Sequence, residues 1–182
     1  MQSIPMHETS VRAVVPLEGR GSIVLCGLPG FCISHDGSPY FSPEHSEQTF
    51  EYLAGLGVSL VYLFMENFEL PPQAKEMIDA TASQFKISAE WIPIVDYATP
   101  DDATQEKWKA GRSQRFDCLD RGESIAVTCL YGAGRSGMMA AATVAEMGVE
   151  TRKAVSFVRQ NFVEAVGSLE QERWVAGGTY LT

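Results

Sequence analysis

The stretch VTCLYGAGRSG, from Val127 to Gly137, leaves this chain few folds to choose from. An apolar, β-branched run from Ser124 to Leu130 leads into it, and an alanine- and methionine-rich segment of helical composition follows. That order predicts a strand, a glycine loop and a helix N-terminus, with Cys129 at the strand end and Arg135 six residues on. The first N–H groups of a helix lack intrahelical partners, and its dipole presents positive potential there. Such a place binds an oxyanion and lowers the pKa of a cysteine beside it. A phosphate cupped by Leu130, Tyr131, Gly132, Ala133 and Gly134, and gripped by Arg135, would lie directly above a thiolate. Cysteine-dependent hydrolysis of a phosphate ester is the chemistry this pattern points to.

Other glycine motifs fit less well. Gly132, Gly134 and Gly137 spell GxGxxG after a strand, as in a dinucleotide site. No acid lies about 20 residues further on, where a ribose-binding carboxylate belongs. A nucleotide P-loop would need a Lys-Ser/Thr pair after the glycines. A GxSxG esterase elbow fails because Gly137 follows Ser136 directly. The plain alternative is a buried strand cysteine in an ordinary turn. An arginine at a helix start opposes the dipole, however, and an anion ligand would offset that cost.

The rest of the chain alternates strand and helix signals. Gly21 to Cys26 reads as a strand, and Ser42-Pro43-Glu44 as a helix start running to about Leu56 before Gly57. Val58 to Phe64 is a continuous apolar run, as in a strand buried on both faces. Pro71-Pro72 opens an amphipathic helix through Ala82, and Ile87 to Val95 carries another strand. Asp101 or Asp102 caps a helix to about Cys118. Beyond the glycine loop's own helix come Thr151 to Phe162 and Ser168 to about Tyr180, with Ser168 and Gln171 as a capping box. The expected fold class is α/β. It is a single domain with a central, mainly parallel sheet of four to five strands and helices on both faces. Residues 1–16, without clear periodicity, are expected to be a tail or irregular lead-in, and 17–182 the catalytic unit.

Charge narrows the partners. A formal net charge of −9 and a pI near 4.8 argue against nucleic acid or an anionic membrane. No stretch near the start is apolar enough for an export signal, and none approaches a membrane span. The four cysteines (Cys26, Cys32, Cys118 and Cys129) lack metal-site spacing, so reduced thiols in a cytoplasmic setting are expected.

The Cys129-x5-Arg135-Ser136 pattern resembles the signature of the protein tyrosine phosphatase superfamily. The chain is similar to its compact dual-specificity branch, of the kinase-associated phosphatase type. LCGLPG at 25–30, EYLAGLGVSLVYLF at 51–64 and IPIVDYATPD at 92–101 support the likeness, which covers about residues 17 to 180. It implies a phosphocysteine intermediate on Cys129, phosphate binding by Arg135 and expulsion of the thiolate aided by Ser136. Asp96 lies in the loop matching the family's general acid, a role worth about 10²–10⁴ in rate. The chain departs from the family in having Thr128 where a histidine is usual, which implies a slower enzyme. Phosphotyrosine, and phosphoserine or phosphothreonine, on a protein is the implied substrate, and an inorganic phosphate or sulfate-like anion would occupy the loop. No cofactor and no metal are implied, nor any nucleic acid or membrane partner. The LYGAG interior carries no lysine, which favours phosphoproteins over phosphoinositides. The alternative is a weak or inactive module that binds phosphorylated partners.

Other residues carry simpler expectations. Glu69 reads as a solvated acid, with support of the arginine loop as its rival role. Gln171 reads as a cap, with positioning of the hydrolytic water as its rival. Trp91, Trp108 and Trp174 are packing residues, His7, His35 and His45 are scattered, and Cys26, Cys32 and Cys118 are buried structural thiols.

Overall fold

The computed structural model describes residues 4–181. Its main sheet has five strands: β1 (Val11–Pro16), β2 (Ser22–Cys26), β5 (Val58–Leu63), β6 (Ser88–Trp91) and β7 (Ser124–Thr128). A small separate hairpin joins β3 (Phe31–Ile33) to β4 (Pro39–Phe41). The order across the main sheet is β1-β2-β7-β5-β6, with only β1 antiparallel. The helices are α1 (Pro43–Gly55), α2 (Ala74–Gln84), α3 (Asp102–Ala110), α4 (Arg112–Asp120), α5 (Gly134–Glu146), α6 (Thr151–Arg159) and α7 (Leu169–Gly177).

Strand residues alternate between two cores, as the pleat requires. Ile23, Leu25, Leu60, Tyr62, Ile125 and Val127 pack with residues of α3 to α7. Val24, Cys26, Val61, Leu63 and Ala126 pack with Phe50 and Leu53 of α1 and Ile78 and Ala82 of α2. The expected α/β architecture, with helices on both faces, is therefore the observed one. Strand β7 lies between two parallel neighbours, so its carboxyl end is the centre of the sheet's carboxyl edge. That is where ligands bind in open α/β sheets.

Four local expectations change. Residues 11–16 are not lead-in but β1, with Val11, Ala13 and Val15 buried and Arg12 and Val14 between them. The period-2 alternation of VRAVV is the physical cause; residues 1–3 of that segment, and residue 182 at the other end, lie outside the described residues. The strand expected over 87–95 stops at Trp91, because beyond it the pairing with β5 loses its regular register. Ile92 and Ile94 still donate to the Leu63 and Phe64 carbonyls, both at 2.9 Å, which ties the following loop to β5. The helix expected over 101–118 breaks at Gly111. There Arg115 Nη1 takes the Trp108 carbonyl at 2.6 Å, and a Cβ on Gly111 would stand 3.1 Å from the Tyr62 hydroxyl. Finally, the helix after Pro71-Pro72 starts at Ala74, following Gln73 in a left-handed conformation.

Candidate active site

The glycine loop runs from Cys129, just past β7, to Arg135 in the first turn of α5. Its carbonyls are held outward. The Leu130 oxygen accepts from Leu28 N–H at 3.2 Å, the Tyr131 oxygen from Arg12 Nε at 2.8 Å, and the Ala133 oxygen from Val166 N–H at 3.2 Å. In a trans peptide the next N–H points opposite to the carbonyl, so the amides of Tyr131, Gly132 and Gly134 face away from those anchors. Gly132 N–H accordingly donates to Cys129 Sγ at 3.2 Å. Gly132 has φ +92°, and a Cβ there would strike the backbone of Cys26 and Gly27 at 2.6 Å. Only glycine fits.

Arg135 is almost wholly buried. Its Nη1 and Nη2 each donate to Glu69 at 2.7 Å, a fork-on-carboxylate geometry. Nη1 also bonds the Ile94 carbonyl at 2.9 Å and the Phe64 carbonyl at 3.3 Å, at the carboxyl ends of the neighbouring strands. Nε is buried without a partner among the described residues. A buried N–H left unpaired is costly, and an anion in the loop would satisfy it. Glu69 is held in turn by the Glu66 N–H at 2.7 Å, from a turn after β5. Burial acts against its charge, but hydrogen bonds from Arg135 and Glu66, with the Arg135 charge, outweigh it and hold the carboxyl below its usual range. Glu69 is thus not the solvated acid expected; it is the arginine's anchor.

Asp96 is half exposed, accepts from the Tyr97 N–H at 3.1 Å and stands 3.3 Å from Arg135 Nη2. With Cys129, Tyr131, Arg135, Tyr97 and Glu164 it lines one pocket of about 420 Å³. Cys129, Arg135 and Asp96 therefore meet, as do the loop residues Leu130, Tyr131, Ala133 and Gly134. Ser136 behaves differently: its hydroxyl makes a long 3.5 Å bond to the Cys26 carbonyl, across the loop floor. Gln171 corrects the capping box. Ser168 Oγ does accept from Gln171 N–H at 3.2 Å, but the glutamine side chain does not turn back onto Ser168. It bonds the Gly167 N–H at 2.9 Å and the Ala98 carbonyl at 3.1 Å.

Among the thiols, Cys26 and Cys118 are buried, whereas Cys32 is partly exposed on β3. Cys26 pairs with Thr128 across β2 and β7, and its carbonyl accepts from the Cys129 N–H at 3.3 Å. Burial pushes its pKa up to about 12 against the pull of Arg12 and the Thr128 hydroxyl, so it stays a neutral thiol. Arg12 was missed in the sequence. It bonds the loop at Tyr131 O and stacks 4.7 Å from the Tyr131 ring centre, and its only signal is an outward position in an alternating strand.

No protein-family model matches the chain. A curated relative, protein tyrosine phosphatase type IVA 3 of Bos taurus, is 33% identical over 79 residues. That match spans 43% of this chain and 44% of the relative, under half the length of each. Among solved structures, a kinase-associated phosphatase with its catalytic-site cysteine replaced by serine superposes with a TM-score of 0.68 at 19% identity, over 91% of this chain and 90% of that one. PTPMT1 in complex with PI(5)P gives a TM-score of 0.60 at 16% identity, over 86% and 88% of the two chains. At such identities the likeness establishes the fold.

Proposed function

We propose, for a chain that carries the protein tyrosine phosphatase fold in its compact dual-specificity form, that it is a phosphoprotein phosphatase working through a phosphocysteine intermediate. In this reading Cys129 sulfur attacks the phosphorus of a phosphotyrosine, phosphoserine or phosphothreonine. Asp96 protonates the departing oxygen, and the same carboxylate then takes a proton from the water that hydrolyses the sulfur–phosphorus bond. The amides of the 130–134 loop and the Nε edge of Arg135 receive the phosphoryl oxygens, which carry most charge in the transition state. Ser136, once its hydroxyl swings from the Cys26 carbonyl, serves the departing thiolate. The unpartnered Arg135 Nε, buried beside Cys129, is the observation that carries the reading.

Several features favour protein over lipid substrates. The pocket rim adds Glu164 to Asp96, and the chain bears a net charge of −9, which repels anionic headgroups. Among the described residues no helix is long and apolar enough to cross a membrane. Four free thiols suit a reducing compartment, and we place the protein in the cytoplasm. The catalytic unit is read as starting at β1 rather than at residue 17, since β1 belongs to the main sheet and its Arg12 holds the loop at Tyr131.

A second reading, a phosphate-binding module with little turnover, is favoured by Thr128 in place of the usual histidine and by the Ser136 hydroxyl lying off the sulfur. Hydrolysis of para-nitrophenyl phosphate separates the two. Turnover that vanishes in Cys129→Ser supports the enzyme. Phosphopeptide binding with no turnover in the unaltered protein supports the module and ends the enzymatic reading.

A further inference from the structure

Asp96 is half exposed, and its contacts are the next residue's N–H and Arg135 at 3.3 Å. Its place in the pocket it shares with Cys129 is therefore set by the backbone that carries it. That backbone is not at rest. Tyr97 has φ +59°, a left-handed conformation that a bulky residue adopts only when something holds it.

The holding groups come from the start of α7. Ser168 Oγ donates to the Tyr97 carbonyl at 3.2 Å, and Gln171 Nε2 donates to the next carbonyl, Ala98, at 3.1 Å. The glutamine's Oε1 accepts from the Gly167 N–H at 2.9 Å. Each partner fixes the amide's orientation, because a carbonyl can only accept and an N–H can only donate. Capping α7 needs Ser168 alone, since its hydroxyl already accepts from Gln171 N–H. The Gln171 side chain is fully buried and reaches a segment 73 residues away. The same turn abuts the phosphate loop: a Cβ on Gly167 would stand 3.3 Å from Gly134 Cα. One buried amide thus sits between the acid-bearing loop and the nucleophile's loop.

We infer that Gln171, assisted by Ser168, is a positioning residue that clamps the 96–98 loop and so sets the distance between Asp96 and a leaving group on Cys129. This rests on the hydrolytic reading above, and the test separates the two. The variants are Gln171→Met, which keeps the bulk and removes both bonds, and Ser168→Ala, which removes the Tyr97 bond and leaves the amide in place. With a phenyl or alkyl phosphate, whose leaving group needs a proton, kcat/KM should fall about 10–100-fold in Gln171→Met. With para-nitrophenyl phosphate, a good leaving group, the fall should stay within about threefold. Added to Asp96→Ala, Gln171→Met should cost nothing further, since it acts through that carboxyl. Amide hydrogen exchange across residues 96–99 should quicken at least about tenfold in both variants, with 124–128 unchanged. Equal losses for every leaving group, additivity with Asp96→Ala, or unchanged exchange would overturn the clamp. If the unaltered protein hydrolyses no ester, the phosphatase reading fails by itself, and the exchange measurement alone decides the clamp.

Discussion

Helix α5 has a buried arginine–glutamate pair at each end, and the two pairs do different work. At the first turn, Arg135 grips Glu69 with both Nη atoms at 2.7 Å; at the last, Arg115 meets Glu146 at 2.9 and 3.3 Å. Both guanidiniums are hidden from solvent. Arg115 also keeps a buried Nε without a partner among the described residues, but it is packed among rings: its carbon lies 3.6 Å from the Trp108 ring centre and 5.7 Å from that of Tyr62, and Nη1 bonds the Trp108 carbonyl at the end of α3. Arg135 is held from behind by a carboxylate and two carbonyls, with Nε left over beside the pocket. The carboxyls respond in opposite senses. Burial pushes Glu146 above its ordinary value despite Arg115, whereas Arg135 and the Glu66 amide bring Glu69 below. One pair welds the core, and the other aims an arginine. The lesson is that an unspent buried donor points to a ligand only where its residue borders a pocket, as Arg135 does beside Cys129.

The contrast can be broken at four points. The largest effect is expected from Glu146→Ala, which strands Arg115 among aromatics and should cost about 3–5 kcal/mol of stability. A calorimetric melt would show this as a fall of about 2–4 °C per kcal/mol, with turnover per folded molecule unchanged. Loss of turnover in the folded fraction would erase the distinction. Next comes Arg135→Lys, which keeps charge but loses the planar fork; turnover of para-nitrophenyl phosphate should drop about 10²–10³-fold. Glu69→Gln should lower the same rate about 10–100-fold by letting the arginine drift, for all leaving groups alike. Dependence on leaving group there would instead assign Glu69 to proton transfer.

The smallest effect is in pH dependence. Glu69 is depressed, so its contribution is present above the unfolded value of 4.5 and fades as pH falls through its lower folded value. Glu146 is elevated, so folding favours its protonated form. Its contribution is full below 4.5 and is lost as pH rises through the folded value. Denaturant midpoints of Glu69→Gln and Glu146→Gln, compared with the unaltered chain, should diverge with opposite slopes, that of Glu69 below pH 4.5 and that of Glu146 above it. Each slope is bounded by about 1.4 kcal/mol per pH unit for one proton. Slopes of the same sign would refute the assignment.

The sequence showed these two arginines unequally. Arg135 was legible because its meaning is local: a strand, a thiol, three glycines and a helix start lie within eleven residues. Helix α1 was readable for the same reason, as Ser42 does accept from the His45 N–H at 3.2 Å. Glu69 was not, since the bond that defines it spans 66 residues and no pattern near it announces an arginine partner. The break at Gly111 was hidden likewise, because it is made by the Arg115 side chain folding back on a carbonyl. Gln171 shows the limit most plainly. The spacing from Ser168 correctly placed one bond, while the amide's other end went to a loop that no local rule could name. Strand β1 was overlooked for a smaller reason: it is six residues at the sheet's edge, and the alternation of VRAVV was its single signal.

The sheet order carries one more consequence, for how the molecule comes into being. Strand β7 slots between β2 and β5, so residues 23–26 wait for partners about a hundred positions later in the chain. Until residues 124–128 have left the ribosome, two apolar edges stand open and invite pairing with other chains. Such distant closure is slow. Cys129 arrives at the end of the very segment that seals the gap, so under the proposed hydrolysis a nascent chain with an open sheet would have no site, and chemistry would begin only when assembly is finished.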